Sequence, residues 1–164
     1  MNFSERESLR IFYVEFRQQL YTYAVSITGN RESAEDAIHC VFQRMLRRGR
    51  LPSNLRPYLF RCVRNAALDT LRRSGVRAES IFDDSSAAAV AEAPALPAVV
   101  PASELERGLQ RLSSDERETI ILKIYDGLTF QEISELRQTP LPTVASWYRR
   151  GLEKLKALLI PEIQ

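Results

Sequence analysis

Two stretches of this 164-residue chain place arginines beside hydroxyl, amide or phenol groups, a combination that suits a polyanion. In residues 139–159, apolar Val144 and Tyr148 are spaced to face the core side of a helix. The side chains that then face outward are hydroxyls followed by arginines: Thr143, Ser146, Arg149 and Arg150. Hydroxyls near a helix start suit DNA base edges, and the arginines behind them suit phosphates. The alternative interpretation is an ordinary three-helix unit with a solvated polar face.

A shorter helical pattern precedes this stretch and predicts a helix-turn-helix. It begins at Thr129, runs through Ile133 to Leu136, and is followed by a turn at residues 137–139. The second helix of such a motif enters the major groove, whereas the first helix crosses the DNA backbone. We therefore expect Thr129 and Gln131, at the start of the first helix, to lie near phosphates.

The second arginine-rich stretch, residues 55–73, is predicted as a helix with a polar face beside an apolar stripe. Its outward side chains are Arg61, Arg64, Asn65, Asp69, Arg72 and Arg73, with Arg56 and Tyr58 at its start. A ring can stack an unpaired base, a guanidinium can pair with a phosphate, and an amide can read a base edge. This face is a candidate platform for single-stranded DNA. The alternative is an ordinary surface helix whose arginines serve only to make it soluble.

Residues 31–48 are predicted as one helix with a polar face that suits a protein partner. Its side chains are Glu35, Asp36, His39, Cys40, Gln43 and Arg47. The alternative is a solvated helix face. A function of another class would be a small hydrolase that uses His39 or Cys40, but no nucleophile signature surrounds these residues. We therefore expect a protein that is not an enzyme.

Helix signals account for all of the patterned sequence and predict an all-α fold without strands. Helix starts are predicted at Ser4, Ser113 and Thr129, because each is followed three residues later by a glutamate in the capping-box pattern. Three glycines mark predicted helix ends: Gly29, Gly49 and Gly127. The apolar spacing also predicts that Ile124 and Leu152 are buried.

Charge divides the chain into three parts. Residues 1–74 hold thirteen arginines and no lysine against seven acidic residues, a net charge of +6. Residues 75–103 hold one arginine against four acidic residues, a net charge of −3, and their Ala- and Pro-rich sequence without periodicity predicts a flexible linker. Residues 104–164 hold nine basic and ten acidic residues, a net charge of −1. We expect two small helical domains, at 1–74 and 104–164, joined by this linker.

The composition also excludes several classes of protein. Cys40 and Cys62 are the only cysteines and no spaced Cys/His set exists, so we expect no disulfide framework, no bound metal and no cofactor. No apolar run approaches the roughly 18 residues of a membrane span. Residues 1–5 lack the basic start and apolar stretch of a secretion signal, so we expect a cytoplasmic location.

The motifs on these faces resemble a known family. The runs AEDAI at residues 34–38 and LFRCVRNAALD at residues 59–69 resemble region 2 of bacterial sigma-70 factors of the extracytoplasmic-function (ECF) group. The runs LSSDERE at 112–118, LTFQEI at 128–133 and TVAS at 143–146 resemble region 4 of the same group. Both motif sets occur in the family's order, and together they cover nearly all of the chain outside the predicted linker.

The resemblance implies a non-enzymatic sigma factor that binds core RNA polymerase, recognises −35 and −10 promoter elements and supports DNA melting. It assigns contact with the β′ clamp to Glu35, Asp36, His39, Gln43 and Arg47. It assigns the −10 element to Arg56, Tyr58, Arg61, Asn65 and Arg72, with Asn65 matching an amide that helps to hold a flipped base. It assigns the −35 duplex to Thr129, Gln131, Thr143, Ser146, Arg149 and Arg150.

The implied partners are promoter DNA and core RNA polymerase, the latter through its β′ clamp and also its β flap, on which region 4 would pack. An anti-sigma factor is a further candidate partner. The alternative to a sigma factor is a stand-alone helix-turn-helix regulator that binds duplex operators.

The chain departs from the family's usual residues at several positions. His39 and Cys40 stand where the family has a glutamine and then an acidic residue. Gln138 replaces the turn glycine, and Ala145 and Trp147 replace a common lysine and arginine. We expect Trp147 to pack at the edge of the apolar stripe.

Overall fold

The structure, a computed structural model, describes residues 2–75 and 102–160. The chain divides into two compact units, residues 1–89 and residues 90–164. Every regular element in the described ranges is helical, which confirms the predicted all-α fold. No helix in this part of the chain is both long enough and apolar enough to cross a membrane. The predicted linker, residues 75–103, lies almost wholly outside the described residues.

The described residues of the first unit form three helices: α1 (Phe3–Thr28), α2 (Arg31–Arg48) and α3 (Leu55–Ser74). Each helix packs against the other two. Side chains at three- and four-residue spacing line their shared core: Leu9, Leu20, Tyr23, Ala24, Ala34, Ala37, Ile38, Val41, Met45, Leu59, Phe60, Val63, Ala67 and Leu71. The rings of Tyr23 and Phe60 meet at its centre, with centroids 5.6 Å apart. The bounds of α2 match the prediction, because Asn30 caps its start and Gly49 its end.

The start of α1 differs from the prediction. Asn2 is the N-cap, since its side-chain oxygen accepts the Glu5 backbone N–H at 2.8 Å and the Glu5 carboxylate accepts the Asn2 N–H at 3.0 Å. Ser4 lies inside the helix, where its carbonyl accepts the Ser8 hydroxyl at 2.9 Å. The predicted cap at Ser4 was therefore wrong, because Asn2 and Glu5 form the same capping box two residues earlier and lengthen the helix. The predicted end is confirmed by the left-handed Gly29, with φ 65°.

Between residues 102 and 160, the second unit forms four helices and a π-helical turn. They are α4 (Ala102–Gln110), α5 (Ser114–Ile120) with the π-helical turn Ile121–Tyr125 after it, α6 (Phe130–Arg137) and α7 (Leu141–Leu159). Helix α7 packs against the other three. The buried apolar residues of this unit are Leu112, Ile120, Leu122, Leu128, Ile133, Leu136, Val144 and Leu155. Both predicted capping boxes of this unit are confirmed, at Ser113 with Glu116 and at Thr129 with Glu132.

The π-helical turn overturns the predicted burial of Ile124. The Asp126 backbone N–H donates to the Ile121 carbonyl at 3.1 Å, a five-residue step that inserts one residue relative to an α-helix. The insertion shifts the buried stripe, so Leu122 is fully buried whereas Ile124 is 49% exposed. Gly127 closes the turn with φ 65°, as predicted.

Helix α7 begins at Leu141 rather than at the predicted residue 139. Pro140 caps the helix with a non-helical ψ of 139°. Thr139 directly precedes this proline, and a residue before proline is disfavoured in the helical region by a clash with the ring.

The predicted burial of Leu152 is also wrong, because α7 turns a different residue toward α5. Gly151 is buried at the crossing of the two helices, and Leu152 is exposed. A Cβ atom on Gly151 would lie only 2.6 Å from Cδ1 of Ile120. The absence of a side chain therefore permits the close approach of α7 to α5.

Candidate nucleic-acid interfaces

The outward face of α7 carries all four side chains that were predicted for it. Thr143 and Ser146 are half-buried near the helix start, and Arg149 and Arg150 are exposed behind them. Within the described residues Arg149 has no ion-pair partner. In contrast, Nε of Arg150 lies 4.0 Å from the Glu116 carboxylate. Arg149 is therefore the cation on this face that is most available to a phosphate or a base.

The start of α6 presents Thr129 and Gln131 to solvent, as predicted. The Thr129 side-chain oxygen accepts the Glu132 backbone N–H at 3.1 Å, so its first role is to cap the helix. The Gln131 amide donates to the Glu135 carboxylate at 3.1 Å. A ligand at this end must exchange or share these exposed hydrogen bonds.

The turn between α6 and α7 is held without glycine. Gln138 adopts a left-handed conformation with φ 50°, and no other non-glycine residue in the described ranges has a positive φ. The Ser134 hydroxyl donates to the Thr139 carbonyl at 2.6 Å, and the Thr139 N–H donates to the Ser134 carbonyl at 3.1 Å. This reciprocal pair closes the turn and sets where α7 begins.

In the first unit, the outward face of α3 presents Asn65 to solvent with no side-chain hydrogen bond in the described part of the chain. Further along the same face, Arg72 is exposed and pairs with Asp69 at 3.2 Å. An exposed ion pair of this kind contributes little to stability, so Arg72 can leave it for a phosphate at small cost.

Four side chains from α2 and α3 form what we call the Tyr58 cluster: Arg48, Tyr58, Arg61 and Cys62. The Arg48 guanidinium donates to the Tyr58 hydroxyl. The Arg61 guanidinium carbon lies 5.7 Å from the centroid of the Tyr58 ring. Neither arginine has a carboxylate partner within the described residues. The sequence prediction missed Arg48, whose signal was its position in the basic last turn of α2.

The electrostatics of the Tyr58 cluster favour an anion. Burial raises the pKa of the Tyr58 hydroxyl, and the adjacent Cys62 raises it further. Burial likewise raises the pKa of the Cys62 thiol. Both groups are therefore neutral near pH 7, and the charge of the cluster is that of its two guanidinium groups. A cationic site beside an aromatic ring suits single-stranded nucleic acid.

Arg56 does not join this face. Its half-buried guanidinium packs over the ring of Phe16 on α1, with 5.3 Å from the guanidinium carbon to the ring centroid. At 100° per residue, Arg56 and Asn65 lie on opposite sides of α3. The structure thus brings Tyr58, Arg61 and Asn65 together and leaves Arg56 apart from them.

The polar face of α2 is exposed at every predicted position: Glu35, Asp36, His39, Gln43 and Arg47. Leu46, which was not predicted to take part, is 48% exposed on the same face, close to Gln43 and Arg47. Single exposed leucines are common on protein surfaces, so Leu46 adds an apolar group to this face without by itself identifying a docking site. Its signal in the sequence was an apolar residue next to the buried Met45 and out of phase with the core stripe.

His39 and Cys40 do not form a catalytic pair. Both are exposed on α2. The Arg44 guanidinium lies 3.7 Å from Sγ of Cys40 as a donor, and no hydrogen bond joins Cys40 to His39 in the described part of the chain. The arrangement lacks the thiol–imidazole contact that activates a cysteine nucleophile.

Two protein-family models match the chain. The model of sigma-70 region 2 matches residues 12–77, and the model of sigma-70 region 4 matches residues 102–155. The first match contains the exposed face of α2 and the Tyr58 cluster. The second contains α6 and the outward face of α7.

Sequence relatives agree with these matches. The chain is 28% identical over 156 residues to the ECF RNA polymerase sigma factor EcfG of Rhodopseudomonas palustris, covering 93% of this chain and 86% of the relative. It is 34% identical over 141 residues to the RNA polymerase sigma factor CarQ of Myxococcus xanthus, covering 84% of this chain and 80% of the relative. The ECF sigma factor SigE of Mycolicibacterium smegmatis is 29% identical over 148 residues, which span 57% of that longer protein.

A solved structure has the same fold. It is the sigma factor RpoE of Bartonella quintana, determined in complex with the anti-sigma factor NepR. It is 24% identical in sequence, with a TM-score of 0.67 over 93% of this chain and 99% of that one.

Fold and sequence together define a two-region transcription factor with a DNA-binding helix-turn-helix. The chain belongs to the sigma-70 family of RNA polymerase sigma factors, in the ECF group, as its motifs predicted. It is a sigma factor for transcription initiation. The match to region 2 argues against the alternative of a stand-alone helix-turn-helix regulator, because a regulator of that class does not need a region 2.

Proposed function

We propose that this sigma factor binds core RNA polymerase through α2, holds the opened −10 strand on α3 and reads the −35 duplex with α7. One observation supports this proposal above the others. The outward faces of α3 and α7 each present a polar group without a side-chain partner in the described residues, Asn65 and Arg149, on the units that match regions 2 and 4.

At the −10 element, the Tyr58 cluster and Asn65 have separate roles. The ring of Tyr58 offers a stacking surface for an unpaired base, and Arg48 and Arg61 neutralise the adjoining phosphates. Asn65 can donate to and accept from the edge of a base that has left the duplex. Interactions with unpaired bases stabilise open DNA and not the duplex, so binding here favours melting.

At the −35 element, α7 enters the major groove with Thr143 and Ser146 nearest the base edges. Arg149 reaches a base or a phosphate, and Thr129 and Gln131 meet the backbone. Arg150 contributes less than Arg149, because it shares the Glu116 carboxylate with Lys154.

Two surfaces serve core polymerase. The exposed face of α2, including Leu46, docks on the β′ clamp, where a partly buried leucine among hydrogen-bonding groups supplies both affinity and orientation. The β flap meets the apolar side chains that α7 leaves exposed, Leu152 and Leu158.

The test begins by overproducing the chain and sequencing the transcripts that appear, since a shared upstream motif identifies both promoter elements. The purified chain is then mixed with core polymerase and one such promoter. Co-migration with core and transcription that starts at the mapped site support the proposal. Failure to bind core at every salt concentration would contradict it.

The −35 contact is tested with Arg149→Ala. We expect a loss of about 1–3 kcal/mol in binding to the mapped −35 duplex if Arg149 makes a bidentate base contact, and less if it meets only phosphate. Arg107→Ala is the matched control, since Arg107 is an exposed arginine on α4 of the same unit. Unchanged affinity with Arg149→Ala would remove this residue from the interface.

The proposal also covers location, regulation and chemistry. A sigma factor that joins RNA polymerase works in the cytoplasm, and none of the roles above requires a catalytic step by this chain. Because RpoE of Bartonella quintana binds an anti-sigma factor, we propose a protein of that class as a regulator here. Such a regulator should compete with core polymerase for the sigma factor in gel filtration.

A further inference from the structure

Arg137, the last residue of α6, joins three helices of the second unit through one buried side chain. Only 9% of that side chain is exposed. Its Nη2 atom lies 2.5 Å from Oδ1 of Asp115, and its Nη1 atom pairs with the Glu118 carboxylate, both on α5. Its guanidinium carbon lies 5.0 Å from the ring centroid of Trp147 on α7.

This arrangement uses properties that only arginine has. The planar guanidinium donates from its edge to two carboxylates while its face stacks on an indole ring. A lysine ammonium can pair with a carboxylate, but it cannot serve both carboxylates and cover the ring in a fixed geometry. Because its edge and its face are both occupied inside the unit, Arg137 is not a DNA contact.

Trp147 is well placed to transmit a displacement to the DNA-facing residues. It lies one helical turn beyond Thr143 and directly after Ser146. If the Arg137 guanidinium no longer lies over the Trp147 ring, the start of α7 can tilt away from α5. The side chains that face the duplex then move together, although none of them has changed.

We propose that Arg137 is a positioning residue, which sets the angle of α7 on α5 and thereby places Thr143, Ser146 and Arg149 against the −35 duplex. This inference rests on the proposed function, in which α7 reads that duplex. Arg137 acts through Trp147 and the two carboxylates, without touching DNA.

A loss of stability alone cannot test the proposal. Removing the Arg137 guanidinium takes away the cation that Asp115 and Glu118 share, and the loss of a cation beside partly buried carboxylates destabilises the fold whatever else it does. A triple variant separates the two effects: Arg137→Gln with Asp115→Asn and Glu118→Gln. It removes the two carboxylate charges together with the cation, but it leaves Trp147 without the guanidinium.

The experiment uses the full chain with core polymerase and the mapped promoter duplex, and it compares Arg137→Gln, the triple variant and Arg149→Gln. Affinity is measured over a range of salt concentrations. The emission of Trp147, the only tryptophan of the chain, is recorded on the free protein. Thermal unfolding reports stability.

We expect both Arg137 variants to bind about tenfold more weakly and to show red-shifted Trp147 emission. The slope of log affinity against log salt should not change, because no phosphate contact is lost. Arg149→Gln, as the control, should lower that slope by up to about 0.9. The triple variant should regain stability without regaining affinity.

Three results would overturn the inference. Recovery of affinity in the triple variant would make Arg137 a stabilising residue only. A lower salt slope with Arg137→Gln would make it a DNA contact. Unchanged Trp147 emission would show that the guanidinium does not hold the indole.

A failure of the proposed function would give a different result from a failure of the inference about Arg137. If Arg149→Gln changes neither affinity nor slope, the −35 contact of α7 is wrong. The Trp147 emission of the Arg137 variants then still decides whether Arg137 holds α7 in place.

Discussion

Lys154 on α7 lies over the buried carboxylate of Glu116 on α5, with its Nζ atom 2.9 Å from each carboxylate oxygen. Only 3% of Glu116 is exposed. Burial alone would raise the pKa of this carboxyl, but hydrogen bonds from Lys154 and from Ser113 outweigh burial and hold the pKa below its ordinary value of 4.5. The pair ties α7 to α5.

Because the pKa of Glu116 is lowered in the folded state, the charged carboxylate stabilises the second unit above its ordinary pKa of 4.5. That contribution is lost as the pH falls through the lowered value. We expect Glu116→Gln, which keeps the capping hydrogen bond, to reduce the loss of stability between about pH 7 and about pH 3. Thermal unfolding, followed by Trp147 fluorescence, measures this loss of stability. Glu153→Gln, on the exposed side of α7, is the matched control for the change of charge.

A methyl group at the crossing of α5 and α7 should destabilise the second unit. The Cβ atom of Gly151→Ala would meet Cδ1 of Ile120 at 2.6 Å and Cβ of Glu116 at 3.3 Å. We expect a loss of about 1–3 kcal/mol in the free energy of unfolding, by denaturant titration of Trp147 fluorescence. Gly108→Ala is the control, since its Cβ would meet no atom closer than Cδ2 of Leu155 at 3.0 Å and no Cβ atom of a neighbouring helix. Equal losses in the two variants would contradict the tight crossing.

The first helix should depend on Asn2 more than on Ser4. Asn2→Ala removes the side-chain oxygen that accepts the Glu5 N–H, and we expect a loss of about 1 kcal/mol. Ser4→Ala removes a hydroxyl inside an exposed helical turn, and its effect should stay within about 0.5 kcal/mol. Denaturant unfolding followed by circular dichroism compares the two. A larger effect at Ser4 would restore that residue as the cap.

Asn65→Ala should weaken promoter opening more than the initial binding of duplex DNA. The amide is exposed on the α3 face and is proposed to hold a base only after that base leaves the duplex. Permanganate footprinting measures opening, and a gel shift measures duplex binding. Gln18→Ala, an exposed amide on α1, is the matched control. Equal losses in both assays would count against the assignment.

Leu46→Asp should reduce the affinity for core polymerase about tenfold without lowering stability, because the leucine is 48% exposed on the α2 face. Val14→Asp is the control, since Val14 is 63% exposed on α1, outside that face. Fluorescence anisotropy of labelled protein titrated with core measures both. A loss with Val14→Asp equal to that with Leu46→Asp would move the docking surface to α1.

Local signals were enough to predict the helices, most of their ends and the exposed faces. Helix α2 was predicted at its observed bounds, and the capping boxes at Ser113 and Thr129 were confirmed, because each depends on residues within one turn of the chain. The motifs for regions 2 and 4 were also readable, since they are contiguous runs of residues.

What the sequence could not decide was how distant residues meet. The π-helical turn buries Leu122 and exposes Ile124, and a uniform helical period cannot anticipate one inserted residue. The predicted role of Arg56 has no support from its position, because its packing on Phe16 depends on where α1 lies against α3.

The contacts of Arg137 with α5 and Trp147 likewise join residues that only tertiary packing brings together. Periodicity along the chain determines which side of a helix is apolar. The helix that covers that side, and the side chains that meet at the crossing, are determined by the packing of the whole unit.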